Sequence, residues 1–273
     1  MSPPGSWAVH RLGTVGSTNT YVSDLARQGA PAGLVAVADH QTAGRGRLGR
    51  RWEAPPGTSL LLSVLLRPVL DPAQLHLCTA AVALAAAAAC RSVAGSRPDH
   101  DRPDHDRPDE DWPDLKWPND LLLDGRKLAG VLAEADPAAP GGPPGSVAVV
   151  VGIGLNVDWS GPPGAGGTCL AEHAGRPVDR EALLQALLTE LGPRVEALDS
   201  AEGRHGLAAE LRRRCRTLGQ PVRVDLPDGS IDGTAVDLTD DGHLVVDTAA
   251  GRRTVAAGDV VHLRPSGGGP AAN

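Results

Sequence analysis

Short apolar runs separated by glycine- and proline-rich turns occupy most of the chain, and they predict strands that alternate with helices. Strands are predicted at residues 34–38, 59–66 and 146–157. Apolar residues at helical spacing predict helices at residues 21–27, 72–93, 179–198 and 206–218. Ser17 or Thr18 is the expected N-cap of the first helix. Asp124-Gly125 lies between two apolar runs and predicts a type I′ hairpin turn, directly before Lys127.

From residue 220 onward the pattern changes to short strands separated by turns such as Asp228-Gly229 and Asp241-Gly242. Five strands are predicted, at residues 222–226, 231–238, 244–246, 253–257 and 260–263. They indicate a small all-β module. The sequence therefore predicts two domains, one over residues 1–218 and one over residues 219–273, with a flexible tail after about residue 265.

A five-residue polar unit containing proline is repeated over residues 97–111, as RPDHD, RPDHD and RPDED. Such a segment cannot bury an apolar face, so a disordered surface insertion is predicted there. Its histidine and aspartate residues suggest metal binding, but a solvated duplication is the simpler interpretation. No histidine, aspartate or glutamate lies near Asp158 at the spacing of metal ligands, so no metal site is predicted there. The sequence leaves the metal ligands unknown.

Composition and charge narrow the class of protein. The chain has 273 residues, 41% hydrophobic and 22% charged, which is ordinary for a soluble globular protein. Its net charge of −7 argues against a general nucleic-acid coat, since such domains are usually strongly basic. The four cysteines stand far apart, as free thiols in a reducing compartment do. The N-terminus has no signal-peptide core, and the alanine-rich run at residues 80–89 is too short and too weakly apolar to span a bilayer, so a cytoplasmic protein is expected.

The segment QTAGRGRLGRRW, residues 41–52, carries four arginines within seven residues. Its glycines allow the backbone to approach a ligand or to take positive φ. Guanidinium groups match phosphate oxygens, and Trp52 offers a flat ring for stacking. The segment predicts a mobile loop that folds over a phosphorylated, aromatic ligand. Taken alone, it fits equally well a solvated basic loop or an arginine–glycine segment that binds nucleic acid.

Lysine is rare in this chain. Of the 26 basic residues only two are lysines, Lys116 and Lys127, and they lie within twelve residues of each other. A chain that uses arginine so freely is expected to retain lysine where a compact ammonium is needed. The segment that contains both lysines is therefore a candidate functional site.

Four sequence blocks stand in a fixed order: Ser17-Thr18-Asn19, GRGRLGRRW, KWPNDLLLDGRKLAG at residues 116–130 and GIGLN at residues 152–156. In this order and spacing the chain resembles the bacterial biotin protein ligases, also called biotin–[acetyl-CoA-carboxylase] ligases, over nearly its whole length. It resembles their short form without an N-terminal DNA-binding domain, because Trp7 already leads into the catalytic core. The insertion at residues 97–111 departs from the family within a loop.

The resemblance implies an α/β core with a mixed sheet, like that of class II aminoacyl-tRNA synthetases, followed by an SH3-like β-barrel. It implies ATP, Mg²⁺ and biotin as ligands. Biotin would first become biotinyl-5′-AMP, and the biotinyl group would then pass to one lysine of the biotin carboxyl carrier domain of an acyl-CoA carboxylase. Positioning and charge neutralisation suffice for such chemistry, so no covalent nucleophile is expected. Neither DNA nor a membrane is implied as a partner, and the protein would be a monomer or a weak homodimer.

The resemblance also implies a role for each block. The polar ureido ring of biotin would be surrounded by Ser17, Thr18, Asn19 and Gln41. The loop that closes over biotin and the adenylate phosphate would contain Gly44, Arg45, Gly46 and Arg47, and Trp52 would cover the adenine. Lys127 would act catalytically together with Arg47, its ammonium bridging the biotin carboxylate and the α-phosphate. Polar contacts to the adenylate would come from Asn119, Asn156 and Asp120. Space for the ligand would be left by Gly130, Gly152 and Gly154.

Other interpretations stay open at this point. In isolation Ser17-Thr18-Asn19 is a helix cap, Pro118-Asn119-Asp120 a turn and Gly152-x-Gly154 a bulge. The nearest alternative function is that of a lipoate–protein ligase, whose family shares the core fold and the lysine but lacks the GRGR-x-GR-x-W loop. A biotin-sensing transcriptional regulator would need a DNA-reading domain, which neither the N-terminus nor the acidic balance supplies. The motif context and the five-strand C-terminal module disfavour an RNA-binding arginine–glycine protein.

Overall fold

A seven-stranded mixed sheet forms the frame of the molecule. The computed structural model describes residues 7–95, 112–226, 229–256 and 258–262, so the predicted insertion and the predicted tail lie outside the described residues. The strands of the sheet are β1 (Ala8–Val15), β2 (Leu34–Gln41), β3 (Ser59–Leu66), β4 (Asp114–Lys116), β5 (Asp120–Leu123), β6 (Arg126–Asp136) and β7 (Ala148–Asn156). Their order is β1-β2-β3-β7-β6-β5-β4. β1 and β2 are parallel and all other neighbours antiparallel, which confirms the predicted mixed sheet.

Most strand predictions are confirmed, some with shifted ends. The strand at residues 59–66 agrees at both ends, and β2 continues three residues beyond the prediction to Gln41. Asp124 and Gly125 have φ angles of 52° and 73°, as the central residues of a type I′ turn require. β1 was not predicted, because its residues are exposed or half-buried throughout and show no buried alternation.

The helices pack on both faces of this sheet. They are α1 (Thr18–Arg27), α2 (His76–Ala94), α3 (Leu170–Ala174), α4 (Arg180–Ala197) and α5 (Ala201–Arg214). Successive strand residues point to opposite faces, so the two core clusters separate by strand parity. Leu34, Leu65 and Val150 pack with Val22 of α1, whereas their strand neighbours pack in the larger core that contains α2 and α4.

One helix prediction was wrong in part, and so was the expectation that the alanine-rich run is too short to span a bilayer. The helix predicted at 206–218 is α5, which begins at Ala201, because the Ser200 hydroxyl caps it by accepting a bond from the Gly203 N–H at 3.0 Å. It ends at Arg214, since Cys215 is extended. The alanine-rich run is part of a longer helical segment, Pro72–Ala94, which by length and composition alone could cross a membrane. Because 83% of its most apolar window is buried within the protein, we read it as the core helix under the sheet.

The second sheet is formed by the C-terminal strands β8 (Pro221–Leu226), β9 (Gly229–Leu238), β10 (Leu244–Thr248), β11 (Gly251–Val255) and β12 (Asp259–His262). They pair antiparallel in the order β11-β10-β9-β8-β12, which confirms a five-stranded all-β module. No pairing closes β11 onto β12 within the described ranges, so an SH3-like barrel stays a prediction. Trp117 of the KWPND block fixes this sheet to the first one, because its buried indole N–H donates to the Gly242 carbonyl at 2.9 Å.

Candidate active site

A cavity lies on the face of the seven-stranded sheet that α1 covers only in part. Beyond the N-terminus of α1 the same face continues through Ser63 of β3, Gly152 and Gly154 of β7 and Gly130 of β6. Small side chains there leave a hollow that the arginine loop and the β5–β6 hairpin border. All of the predicted site residues line this cavity except Gly44 and Asn156. The structure thus brings together four blocks that are far apart in the sequence.

One end of the cavity is polar. Ser17 is the N-cap residue of α1, but its side chain makes no cap hydrogen bond. The Thr18 hydroxyl and backbone N–H both donate to the Gln41 side-chain oxygen, at 3.0 and 2.7 Å. The Asn19 carbonyl oxygen lies 2.6 Å from the Ser63 hydroxyl, which also lies 2.7 Å from the Thr18 hydroxyl. The block is therefore more than a helix cap, because its side chains form a buried network that faces the cavity.

Gly152 makes room for a protein side chain. A Cβ at this position would lie 2.0 Å from the Asn19 side-chain oxygen. Real Cβ contacts are never that short, so any side chain here would displace Asn19. We expected Gly152 to leave space for the ligand directly. In the structure Gly152 lines the cavity, and its missing side chain also leaves the place that the Asn19 side chain occupies.

Trp52 lies across the floor of the cavity. A Cβ at Gly154 would be 2.3 Å from its indole ring, and one at Gly130 would be 3.3 Å away. These two glycines are paired neighbours on β7 and β6, so together they form the flat surface that the indole occupies. The Trp52 indole N–H is buried without a hydrogen-bond partner in the described structure. A buried donor without an acceptor is costly, so an acceptor on a bound ligand would stabilise the indole at this position.

Lys127 stands at the other end of the cavity, at the start of β6. Its ammonium lies 2.7 Å from a carboxylate oxygen of Asp120 and 5.8 Å from the centre of a Trp52 ring. The Lys127 backbone is held from outside the sheet, because its carbonyl accepts a bond from the Thr168 N–H at 2.9 Å. Asn156 supports the same segment by donating its side-chain N–H to the Thr168 carbonyl at 2.9 Å. Asn156 is buried and does not line the cavity. Its side chain instead contacts Thr168, the residue that holds the Lys127 backbone.

The arginine loop closes the cavity from above. It folds as a tight hairpin in which the Gly46 N–H donates to the Arg50 carbonyl at 2.7 Å, and Gly44 passes close to Trp52. Arg45 donates to Glu134 at 3.0 Å and Arg47 to the Asn119 side chain at 3.2 Å. Burial lowers the pKa of the Arg47 guanidinium, while Asp259 and Asp120 act to raise it. An anionic group of a ligand that enters the cavity beneath this loop would meet several cationic side chains.

The loop also contacts the C-terminal sheet. Arg47 donates to the Gly258 carbonyl at 2.9 Å, and Arg50 forms an ion pair with Asp259 at the start of β12. Asp259 itself lines the cavity. The second sheet is therefore part of the site, although none of the four sequence blocks lies in it.

Sequence reasoning missed several residues at the site. Beyond Asp259 they include the loop arginines Arg50 and Arg51, the network residues Ser63 and Glu134, and the apolar lining Leu62, Val131, Leu132 and Ile153. Ser63 lies in the middle of the run SLLLSVLL, and it was visible as a polar residue in a buried strand. Glu134 follows Gly130 by four residues and so shares its face of β6. Asp259 has no comparable local signal.

Fold and cavity define an α/β protein with a cavity that is polar at one end and carries cationic side chains at the other. Comparisons with known proteins give its family. The Biotin/lipoate A/B protein ligase family matches residues 13–156, just over half of the chain. The Biotin protein ligase C terminal domain family matches residues 217–263.

Individual proteins agree with these matches. The biotin–[acetyl-CoA-carboxylase] ligase of Mycobacterium tuberculosis is 38% identical over 259 residues, which span 91% of this chain and 86% of the relative. The enzyme of that name from Paracoccus denitrificans is 33% identical, over 91% and 98% of the two chains. The biotin protein ligase of Aquifex aeolicus in complex with biotin and ATP superposes with a TM-score of 0.73 at 27% identity, over 94% and 99% of the two chains. The chain therefore belongs to the biotin/lipoate A/B protein ligase family, within its biotin protein ligases.

Proposed function

We propose that this protein is a biotin–protein ligase, which activates biotin with ATP and transfers it to one lysine of a biotin carboxyl carrier domain. The observation that carries the proposal is the joining of two chemically different ends in one cavity. The Thr18–Asn19–Gln41 network offers donors and acceptors to a polar ring, and the Lys127 end offers cations to a carboxylate and a phosphate. The family membership and the relatives named above support the same reaction.

In the first step a carboxylate oxygen of biotin attacks the α-phosphorus of ATP. The new bond is P–O–acyl, the bond to the β-phosphate oxygen breaks, and pyrophosphate leaves. We expect the Lys127 ammonium to leave Asp120 and to lie between the two anions, because a compact ammonium can serve both. Arg47 is expected to bind the phosphate, and such fixed charges are most effective where charge develops in the transition state.

In the second step the amine of the acceptor lysine attacks the acyl carbon of biotinyl-5′-AMP. The bond from that carbon to the phosphate oxygen breaks, AMP leaves, and the amine releases its proton to solvent. The protein holds the adenylate until the acceptor arrives, and we expect the arginine loop to do this by closing over the cavity. No covalent bond to the enzyme is needed in either step.

The remaining ligand contacts follow the polarity of the cavity. We propose that Ser17, Thr18, Asn19 and Gln41 bind the ureido ring, while Trp52 covers the adenine after it leaves the floor formed by Gly130 and Gly154. Asn119 is expected to contact the adenylate directly. Asn156 is expected to act through the segment at Thr168, since its side chain is committed there.

Mg²⁺ is proposed as the ion that accompanies ATP. The described residues contain no group of three or more histidine, cysteine or carboxylate side chains placed to hold a metal. Mg²⁺ bound with a nucleotide typically uses one or two carboxylates besides the phosphates, and Asp120 and Asp259 offer carboxylates at the cavity. The donors therefore suit an ion that arrives with the nucleotide, where it would neutralise phosphate charge.

The wider assignments follow from this function. We propose that residues 1–218 form the catalytic domain and residues 219–273 a C-terminal domain with an SH3-like fold, in agreement with the separate family match at residues 217–263. The acceptor is proposed to be the carrier domain of an acyl-CoA carboxylase, with the ligase acting in the cytoplasm as a monomer or weak homodimer.

A lipoate–protein ligase is the alternative, because the matching family includes both activities in its name. A lipoyl group ends in an apolar dithiolane ring and needs an apolar tunnel. This cavity is lined at its polar end by Thr18, Asn19 and Gln41, and their chain of hydrogen bonds continues to Ser63 and Glu134. The test is a transfer assay with ATP, Mg²⁺ and an isolated biotin carboxyl carrier domain, followed by intact mass spectrometry. Addition of one biotinyl group supports the proposal, whereas lipoyl addition alone would overturn it.

A further inference from the structure

Glu134 is the point at which the polar network and the arginine loop meet. It lies on β6, on the cavity side of the sheet. One of its carboxylate oxygens accepts a bond from the Asn19 side-chain N–H at 2.7 Å and another from Arg45 at 3.0 Å. Arg45 also donates to the Thr20 hydroxyl at 3.3 Å. A single oxygen therefore joins a buried asparagine to the loop that covers the cavity.

The first consequence concerns the orientation of the Asn19 amide. A carboxylate can only accept hydrogen bonds, so it selects the N–H end of the amide. The Leu132 carbonyl accepts from the same N–H group at 3.3 Å. The carbonyl end of Asn19 is thereby turned to the Ser63 hydroxyl and the cavity. Asn19 is 4% exposed, and a charge-assisted bond in such a place is stronger than one in water.

The second consequence concerns the loop. Arg45 and Arg51 face each other across the base of the loop hairpin, so fixing Arg45 fixes one side of that base. Arg47 and Arg50 are held at the other end by Asn119, Gly258 and Asp259. Glu134 thus provides the tether on the side nearest to the polar network.

We propose that Glu134 is a positioning residue that couples binding of the ligand's polar ring to closure of the arginine loop. The proposal rests on the proposed function, since the ring in question is the ureido ring of biotin. A ligand that engages Asn19 stabilises its orientation against Glu134, and the same carboxylate then holds Arg45 in the closed loop. Glu134 touches neither the reacting carboxylate nor the phosphate in this account.

Three variants separate the two contacts. Glu134→Ala removes both. Glu134→Gln is isosteric, keeps an oxygen that accepts from Asn19 and removes the charge that holds Arg45. Asp136→Asn is the matched control, because Asp136 lies two residues further on the same face of β6, with a side-chain exposure of 34% against 35% for Glu134, and pairs with Arg27 away from the cavity. Each variant is measured for the KM of biotin in pyrophosphate exchange, for the rate at which biotinyl-5′-AMP dissociates, and for its melting temperature.

We expect Glu134→Ala to raise the KM of biotin about tenfold with little change in kcat, since Asn19 loses its bond to a charged partner. Glu134→Gln should leave that KM within about twofold while the adenylate still dissociates several-fold faster. Limited trypsin digestion without ligand measures directly how well the contact between Glu134 and Arg45 holds the arginine loop. Both Glu134 variants should be cut faster within residues 45–51 than the wild type and Asp136→Asn.

Equal trypsin rates for Glu134→Gln and the wild type would overturn the tether, even in a protein that does not use biotin. An unchanged KM and dissociation rate in both Glu134 variants would overturn the coupling. A fall in melting temperature with unaltered KM would assign Glu134 a purely structural role and also refute it. Absence of any biotin-dependent exchange in the wild type would instead refute the proposed function, which keeps the two failures apart.

Discussion

The Lys127 ammonium lies 2.7 Å from a carboxylate oxygen of Asp120, on the neighbouring strand of the same sheet. The two side chains are 40% and 19% exposed, so the pair is half-buried at the edge of the cavity. An ion pair of this kind holds the ammonium in place and can exchange its partner for another anion at little cost, because each side chain remains accessible to water. Asp120 thus keeps Lys127 ready for a carboxylate or a phosphate.

Lys127→Arg is expected to reduce adenylate formation by about a hundredfold or more, the order found when one stabilising donor at developing charge is removed. The planar guanidinium cannot take the place of a point charge between two anions. Single-turnover formation of biotinyl-5′-AMP measures the effect. Lys116→Arg, at the other lysine of the chain, is the control. Wild-type activity in Lys127→Arg would remove Lys127 from the mechanism.

Arg47→Ala is expected to speed the escape of biotinyl-5′-AMP by about tenfold or more. The substitution removes the contacts of the loop with Asn119 and Gly258 together with a cation near the phosphate. Dissociation of labelled adenylate from the protein measures the leak. Arg253→Ala, on exposed β11, controls for loss of one positive charge. A leak as slow as that of the wild type would count against the role of the loop as a lid.

Gly154→Ala is expected to displace Trp52, since the added Cβ would lie 2.3 Å from the indole. Tryptophan emission should change while the protein stays folded, and binding of biotin should weaken. The same substitution in a Trp52→Phe background should leave the emission unchanged, which assigns the signal to Trp52 among the five tryptophans. Gly13→Ala is the control, because a Cβ there meets nothing within 4 Å. An emission spectrum unaffected by Gly154→Ala would show that the indole lies elsewhere in solution.

His76 makes the stability of the fold depend on pH. Its ring packs near Trp117 and Gly242 between α2 and the C-terminal sheet, and burial, with His243 and Arg47 nearby, lowers the pKa of His76 to about 4. The unfolded chain, with a pKa near 6.5, binds more protons than the folded one between these values. Stability is therefore complete above about pH 6.5 and falls toward pH 4, by at most about 3 kcal/mol from this group.

Melting temperatures at pH 7 and pH 5 test this dependence. His76→Gln cannot take up the proton, so its loss of stability between these two pH values should be smaller than that of the wild type. His10→Gln, at an exposed position of the edge strand β1, controls for the loss of one histidine. Parallel pH profiles for the wild type and His76→Gln would contradict the assignment.

The parts of the fold that could be predicted from sequence are those with a local cause. Asp124-Gly125 fixes its own turn, and the run SLLLSVLL is apolar enough to define β3 without its neighbours. The four blocks pointed to one site through their order and spacing, which resemble those of a known family, since three of them taken singly fit a helix cap, a turn and a bulge. β1 escaped prediction because an edge strand with exposed side chains has no apolar pattern to detect.

The remaining features depend on contacts made across the chain. Asn156 lies in a block that resembles a ligand-binding motif, yet its side chain bonds to the Thr168 carbonyl. Glu134 and Asp259 join the site through partners that lie 115 and 209 residues away in sequence. No pattern within a single segment encodes such contacts. The same holds for Gly152, whose lack of a side chain is explained by Asn19.

The central claim is that this cavity makes an acyl-adenylate from biotin. Exchange of labelled pyrophosphate into ATP, in the presence of Mg²⁺ and with biotin and lipoate in parallel, tests it most directly, because it needs the first step alone and no carrier protein. Biotin-dependent exchange, with none above background for lipoate, is the predicted result. Exchange with lipoate alone would assign the cavity to the other branch of the family, and exchange with neither would contradict the account.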